Sequence, residues 1–247
     1  MKRFDGVGVI VTGSSRGLGR DLALAFAAEG AHVGVSYRTR ADAAEETLAL
    51  LQEAGGTGQV HRIDIREADS VRSAFTAFEE ERPIDVLVNN AAVVRDHPFI
   101  MLAQKDWSDS IATNLTGTYH ACRAVLPFMM ARGRGAIVNV ASVAAVRASP
   151  GQAAYGASKA GVLGLTRTLA REVAARGVRV NAIVPGLLDT GMGARLDRRK
   201  VEERLAQIPV GRLGSGKEVA SVALFLASGD AGYVLGQSVI VDGGLSL

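Results

Sequence analysis

Cysteine and histidine are scarce in this sequence. Its 247 residues include one cysteine, Cys122, and four histidines. One cysteine cannot form a disulfide within the chain, and together with four scattered histidines it does not make a metal-binding cluster. We therefore expect no metal site and a reducing, cytoplasmic setting.

An excess of one charge and long apolar runs are also missing. The 28 basic and 25 acidic residues leave a net charge of +3, and no long basic run carries interleaved aromatics. Nothing here indicates a nucleic-acid partner. The apolar stretch near the N-terminus is too short for a signal peptide, and no membrane span follows it, so we expect no contact with a membrane.

Aromatic residues make up only 5% of the chain and prolines number six, whereas hydrophobic residues reach 48% and glycines number 29. Small and β-branched residues in this proportion favour helices packed closely on a buried parallel sheet. No proline- or serine-rich linker divides the chain. We therefore predict one α/β domain over residues 1–247.

Short β-branched runs alternate with longer amphipathic stretches, which is typical of repeated βαβ units. Rossmann-type architecture follows, with a doubly wound parallel sheet of about seven strands and helices on both faces. A segment at 187–209 follows a strand's C-terminal end and is predicted to be a substrate lid, although a solvated surface helix is an equal alternative. The predicted strands are 7–12, 32–37, 59–63, 84–89, 135–140, 178–184 and 238–241, and the predicted helices are 18–28, 41–54, 70–81, 105–131 and 152–175.

A glycine-rich turn joins the first predicted strand to the first helix. It reads TGSSRGLG from Thr12 to Gly19, with the spacing GxxxGxG. Glycines let the backbone approach a pyrophosphate, and a helix N-terminus supplies free N–H groups and partial positive charge. This context predicts a dinucleotide site.

The end of the second strand bears on which dinucleotide binds. An NAD site usually places an acid there for the ribose 2′-hydroxyl, but this chain has Tyr37 and Arg38. Arg38 can make a forked, charge-assisted contact with a 2′-phosphate, and Arg16 in the glycine turn is a second cation. The sequence therefore favours NADP(H), against the alternative that both arginines are solvated surface groups.

Tyr155 and Lys159 stand four residues apart in a predicted helix and so share one face. A phenol is a poor proton relay at neutral pH unless a nearby cation favours its anion, and Lys159 is such a cation. By itself, the pair is better explained as ordinary residues on a solvated helix face.

Several motifs together resemble the short-chain dehydrogenase/reductase family over the whole chain. They are the turn at 12–19, Asp64, the Asn89-Asn90-Ala91 run, Asn114, Ser142, the Tyr155/Lys159 pair, Pro185-Gly186 and Thr190. The resemblance implies a catalytic group of Asn114, Ser142, Tyr155 and Lys159. It also implies cofactor contacts from Thr12, Gly13, Ser15, Arg16, Gly17, Leu18, Gly19, Tyr37, Arg38, Asp64, Ile65, Asn90, Ala91, Tyr155, Lys159, Pro185, Gly186, Leu188 and Thr190.

In that family, Ser142 would bind a substrate carbonyl oxygen and Tyr155 would deliver a proton to it. Lys159 would lower the phenol's pKa and contact the nicotinamide ribose. The residue matching Asn114 distorts its helix and holds a water, and the residue matching Asp64 contacts the adenine.

Within the family the chain resembles the β-ketoacyl-acyl-carrier-protein reductases. Arg95-Asp96, Trp107 and the stretch at 209–214 carry this likeness. It implies NADPH-dependent reduction of a 3-oxoacyl thioester, in fatty-acid or polyketide-type synthesis, and a homotetramer. Carrier proteins are acidic, so candidate docking residues are basic: Arg132, Arg134, Arg171 and Arg176.

Two other functions stay open at this point. One is an NADP(H)-dependent alcohol dehydrogenase or ketone reductase acting on a free small molecule. The other is a non-catalytic, nucleotide-binding regulatory protein on the same fold, which would have no chemical need for Ser142, Tyr155 and Lys159 together.

Overall fold

A computed structural model describes residues 2–191 and 205–247. Seven parallel strands form one sheet in the order β3-β2-β1-β4-β5-β6-β7, which confirms the predicted fold class. Neighbouring strands pair in parallel throughout, as in His32 with Thr57 and Asn89 with Asn139. The strands are β1 (Gly8–Val11), β2 (His32–Tyr37), β3 (Thr57–Arg62), β4 (Ile84–Asn89), β5 (Gly135–Val140), β6 (Val178–Pro185) and β7 (Ser238–Val241).

Helices cover both faces of the sheet, and alternation along β1 shows how the two cores separate. Val9 and Val11 pack in one apolar cluster with Leu22, whereas Ile10 packs in the other with Phe75. Side chains of a strand point alternately to opposite faces, so a continuous apolar run fills both cores. The helices are α1 (Gly17–Ala28), α2 (Ala41–Glu53), α3 (Ala68–Glu81), α4 (Gln104–Ile111), α5 (Gly117–Arg132), α6 (Ala153–Val173) and α7 (Gly216–Ala227).

Two features differ from the sequence prediction. The helix predicted at 105–131 is two α-helices joined by a π-helical turn, Ala112–Thr116. Helix α7 was not predicted, although Ser215 and Glu218 form a capping box whose S-x-x-E pattern is visible in the sequence. Of the predicted lid at 187–209, residues 192–204 lie outside the described residues.

Neither a membrane-spanning helix nor a metal cluster is found in residues 2–191 and 205–247. None of their helices is long and apolar enough to cross a bilayer. They also contain no group of three or more histidine, cysteine or acidic residues arranged to hold a metal ion.

Candidate active site

The strand order reverses between β1 and β4, because β1 lies between β2 and β4 and the chain then continues outward on the other side. In an open parallel sheet, the crevice beyond the carboxyl ends of the strands at such a reversal is where ligands bind. The glycine turn follows β1, Asn90 follows β4 and Ser142 follows β5. The fold therefore brings the three predicted motifs to one edge of the sheet.

The glycine turn is closely packed at its three glycines. Gly13 and Gly17 have positive φ angles of 66° and 56°. A Cβ on Gly19 would lie 2.3 Å from the carbonyl oxygen of Gly13. Arg16 offers no side-chain cap to α1, so the first N–H groups of this helix are available to an anion. The turn therefore fits the pyrophosphate of a dinucleotide.

Two serines that the sequence analysis did not single out fix this turn to β2. The backbone N–H of Gly13 donates to Ser36 Oγ at 2.7 Å, and the N–H of Ser36 donates to Ser14 Oγ at 2.8 Å. Both serines are buried. A small hydroxyl residue at the end of an otherwise apolar strand is the signal that could have identified Ser36.

The bond to Ser36 also places the end of β2 beside the glycine turn. Arg38 lies two residues further on and is exposed, as is Arg16. Neither arginine forms a salt bridge with an acid in the described part of the chain. Their guanidinium groups are thus available for a ligand phosphate, and a contact with a 2′-phosphate stays a prediction.

Other predicted cofactor residues are held by the protein itself. Thr12 Oγ1 accepts hydrogen bonds from the N–H groups of Asn90 and Ala91, at 2.9 and 3.1 Å. Asn90 Nδ2 donates to the carbonyl oxygens of Thr12 and Gly13. These side chains join β1 to β4 and set the shape of the turn, so a positioning role explains Thr12 and Asn90 without a direct ligand contact.

Asp64 is likewise engaged, because its carboxylate accepts from Arg66 Nε at 2.9 Å and from Arg66 NH2 at 2.6 Å. This forked pair lowers the pKa of the Asp64 carboxyl. The backbone N–H of Asp64 donates to Ser70 Oγ at 3.0 Å. The neighbouring Ile65 is buried and packs where a Cβ on Gly117 would lie. An adenine contact from Asp64 stays a prediction.

Ser142, Tyr155 and Lys159 converge where β5 ends and α6 begins. The Ser142 hydroxyl hydrogen-bonds the Tyr155 phenol. Lys159 Nζ lies 5.9 Å from the centre of the Tyr155 ring and donates to the carbonyl oxygen of Val140 at 2.6 Å. Only 7% of Tyr155 and 2% of Lys159 are exposed. A half-buried hydroxyl therefore lies with a buried phenol and a buried ammonium at the sheet edge.

Burial dominates the proton affinities of this group. It raises the pKa of the Tyr155 phenol, while the Ser142 hydrogen bond lowers it. Burial lowers the pKa of Lys159 to about 8. Ser142 thus lowers the phenol's pKa in this structure, and the lowering by Lys159 that the sequence analysis expected stays a prediction. The ammonium itself donates to Val140, because a buried cation needs a close acceptor.

Asn114 lies at the centre of the π-helical turn and is fully buried. Its Oδ1 accepts from the N–H of Val93 at 2.8 Å, and its Nδ2 donates to the Val93 carbonyl at 3.0 Å. Nδ2 also reaches Ser158 Oγ at 3.0 Å. The predicted helix distortion is present, and the side chain joins the loop after β4 to the catalytic helix.

The segment after β6 closes the site on its other side. The N–H of Gly186 donates to Val241 at 2.9 Å, and Leu188 forms an isolated parallel bridge with Gly214. Two residues later, the Thr190 hydroxyl hydrogen-bonds Asp21 of α1. Pro185, Gly186, Leu188 and Thr190 thus line the route from β6 to the glycine turn.

This combination of fold and site places the protein in a known class. Residues 13–246 match the family model described as Enoyl-(Acyl carrier protein) reductase, and the chain belongs to this short-chain dehydrogenase/reductase family. Among curated proteins, the 3-oxoacyl-[acyl-carrier-protein] reductase FabG of Thermotoga maritima is 40% identical over 248 residues, covering 98% of this chain and 99% of the relative. The Vibrio cholerae reductase of the same name is 39% identical, and the match covers 98% of both chains.

Solved structures show the same architecture with more than one named activity. The 3-oxoacyl-[acyl-carrier protein] reductase of Brucella melitensis superposes with a TM-score of 0.95 at 34% identity, covering 100% of this chain and 93% of that one. A gluconate 5-dehydrogenase of Burkholderia cenocepacia, in complex with NADP and tartrate, gives 0.93 at 33% identity, covering 99% and 96%.

Proposed function

We propose that this protein reduces a 3-oxoacyl thioester, carried on an acyl carrier protein, to the 3-hydroxyacyl thioester with NADPH. The observation that carries the proposal is the hydrogen bond of Ser142 with the buried Tyr155 beside the buried Lys159, at the sheet edge that holds the glycine turn. The relatives named FabG support the substrate class. Fatty-acid or polyketide-type synthesis is the setting that uses such a reduction.

NADPH, when bound, supplies the hydride that adds to the carbonyl carbon of the substrate. The Ser142 hydroxyl binds the carbonyl oxygen, and the Tyr155 phenol gives its proton to that oxygen as negative charge develops there. Because burial raises the pKa of Tyr155, the phenol holds its proton at neutral pH and is ready to act as the acid. Lys159, still largely protonated at pH 7, stabilises the phenolate that remains.

Arg38 and Arg16 are the residues that we propose for the 2′-phosphate of NADP(H). Both side chains are exposed beside the glycine turn and free of salt bridges to the described acids. Two structural relatives were solved with NADP bound. A guanidinium matches a phosphate in both charge and geometry, which supports this assignment.

An apolar turn next to the catalytic helix supports an acyl substrate. Phe99, Ile100 and Met101 form a short 3₁₀ turn, and Ile100 is 94% exposed. The loop that carries them is held near Tyr155, because the N–H of His97 donates to the Gly151 carbonyl at 2.9 Å. Apolar surface at this place suits a hydrocarbon chain better than a polyol.

A second candidate is oxidation or reduction of a free small molecule such as a sugar acid. The likeness to gluconate 5-dehydrogenase favours it, because that protein shares the fold at 33% identity. The non-catalytic alternative receives no support, since Ser142, Tyr155 and Lys159 are all present and lie together at the sheet edge.

The four candidate docking arginines for a carrier protein differ in whether the protein itself already binds their side chains. The Arg132 guanidinium is held internally, by Glu79 and by the Ile84 carbonyl at 2.7 Å. Arg134 is 3.2 Å from Asp85. Arg171 and Arg176 are exposed near the end of α6 and form no salt bridge with the described acids. Arg176 also lines the groove between α5 and α6, so we place docking chiefly on Arg171.

Helices α5 and α6 support the proposed homotetramer. A groove of about 530 Å³ between them is lined mainly by apolar side chains, including Leu126, Met130 and Leu169. Nothing lies within 4 Å of a Cβ added to Gly164, so a helix of a second copy can approach closely there.

A Gly164→Trp variant should sediment as a smaller species, because the indole would block the approach of the second helix. Gly229→Trp, at another open glycine, is the control and should sediment like the wild type. Unchanged sedimentation of Gly164→Trp would contradict this interface.

The buried, unpaired Cys122 is compatible with the reducing cytoplasmic setting that we propose. Burial raises the pKa of its thiol to about 12, so the thiolate that reacts with oxidants is scarce at neutral pH.

Replacing Arg171 with Glu should lower kcat/KM about tenfold for acetoacetyl-carrier protein, because a charge that attracts the acidic carrier becomes a repelling one. The same variant should keep its kcat/KM for acetoacetyl-coenzyme A. Arg72→Glu on α3, an exposed arginine that pairs with Asp69 on another surface, serves as the control and should affect neither substrate. Equal losses on both substrates would remove the docking role.

Turnover is followed by the absorbance of the reduced cofactor, with NADPH and NADH tested in parallel. The substrates are an acetoacetyl thioester and free ketones of the gluconate type. We expect turnover with the thioester and NADPH, and Tyr155→Phe should lower kcat at least about 100-fold through loss of the acid. Its affinity for NADPH should change little. Turnover of the free ketones alone would select the second candidate, and a preference for NADH would refute the roles of Arg16 and Arg38.

A further inference from the structure

Asp21 of α1 lies where three elements meet, yet the proposed chemistry does not use it. Its carboxyl group accepts a hydrogen bond from the Thr190 hydroxyl of the segment after β6. The same carboxyl group lies against Gly216, the first residue of α7. Burial raises the pKa of this group, as does nearby Asp189, while Thr190, Arg20 and Lys217 lower it.

The face of α1 that carries Asp21 also carries Gly17, since the two residues are four positions apart. A Cβ on Gly17 would lie 2.8 Å from Gly191 Cα and 3.9 Å from Thr190 Oγ1. The segment after β6 therefore rests on the start of α1 at two adjacent points. At one point the backbones touch, and at the other the carboxyl group of Asp21 binds Thr190.

Gly216 has no side chain, and the carboxyl group of Asp21 occupies the space where a Cβ would lie. A Cβ on Gly216 would lie 1.9 Å from Asp21 Oδ2 and 2.6 Å from its Cγ, so any other residue there would displace the carboxyl group. The displaced atoms are the end of a side chain and not backbone, so rotation of Asp21 would relieve the contact. The position of the carboxylate thus depends on a glycine at the first residue of α7.

We infer that Asp21 is a positioning residue for cofactor binding, acting through Thr190. It holds the segment after β6 against the turn that receives the pyrophosphate, before the cofactor arrives. A site ordered in advance loses less conformational entropy on binding and so binds more tightly. This inference rests on the proposed NADP(H) site but not on the identity of the carbonyl substrate.

The test measures the dissociation constant of NADPH directly, from the rise in nicotinamide fluorescence on binding. Asp21→Ala and Thr190→Val should each weaken binding about tenfold, the equivalent of one hydrogen bond. Asp21→Asn should stay within about threefold of wild type, because its amide oxygen still accepts the Thr190 hydroxyl. The double variant Asp21→Ala/Thr190→Val should bind no more weakly than Thr190→Val alone.

Gly216→Ala provides a second approach that leaves Asp21 in the chain. It should weaken NADPH binding about as much as Asp21→Ala, and adding it to Asp21→Ala should cause no further loss. Additive losses in the Asp21/Thr190 double variant, or wild-type affinity in both Asp21→Ala and Gly216→Ala, would overturn the inference. Wild-type enzyme that binds NADPH but fails to reduce the acetoacetyl thioester would refute the proposed function alone.

Discussion

The need to satisfy a buried ammonium group organises the centre of this protein. Lys159 is almost fully buried, and removal from water is costly for a cation unless an acceptor lies close by. The carbonyl of Val140, at the end of β5, provides that acceptor. This one hydrogen bond connects α6 to the sheet edge, and Tyr155, one turn earlier on the same face, is thereby placed beside Ser142.

The proton chemistry follows from the same burial. Desolvation raises the pKa of the Tyr155 phenol and lowers the pKa of Lys159 to about 8. Near pH 7 the phenol therefore keeps the proton that an acid catalyst must donate, and Lys159 stays largely charged. The hydrogen bond from Ser142 partly offsets the rise in the pKa of Tyr155. Around this group, Asn114 and the pair of Ser14 and Ser36 fix the neighbouring loops through backbone hydrogen bonds. The site is thus held by polar contacts within an apolar sheet.

Sequence patterns predicted the sheet well, because strands buried on both faces consist of short apolar runs. Strands β2 and β4 begin and end at the predicted residues. The residues proposed for catalysis were identified through motif order. The roles of individual polar groups were less accessible, because a partner such as Glu79 for Arg132 or Arg66 for Asp64 depends on tertiary distance or side-chain conformation. Asp21 gave no sequence signal, since its partners lie about 170 and 195 residues away along the chain.

The pKa of Tyr155 tests the central claim most directly. It can be followed by carbon NMR of tyrosine labelled at Cζ, with Tyr155→Phe used to assign the signal. Burial predicts a midpoint above 10, the ordinary value for a phenol, and Ser142→Ala should raise the midpoint further because the hydrogen bond that favours the phenolate is lost. A wild-type midpoint at or below 10, or a Ser142→Ala midpoint that is unchanged or lower, would contradict this account.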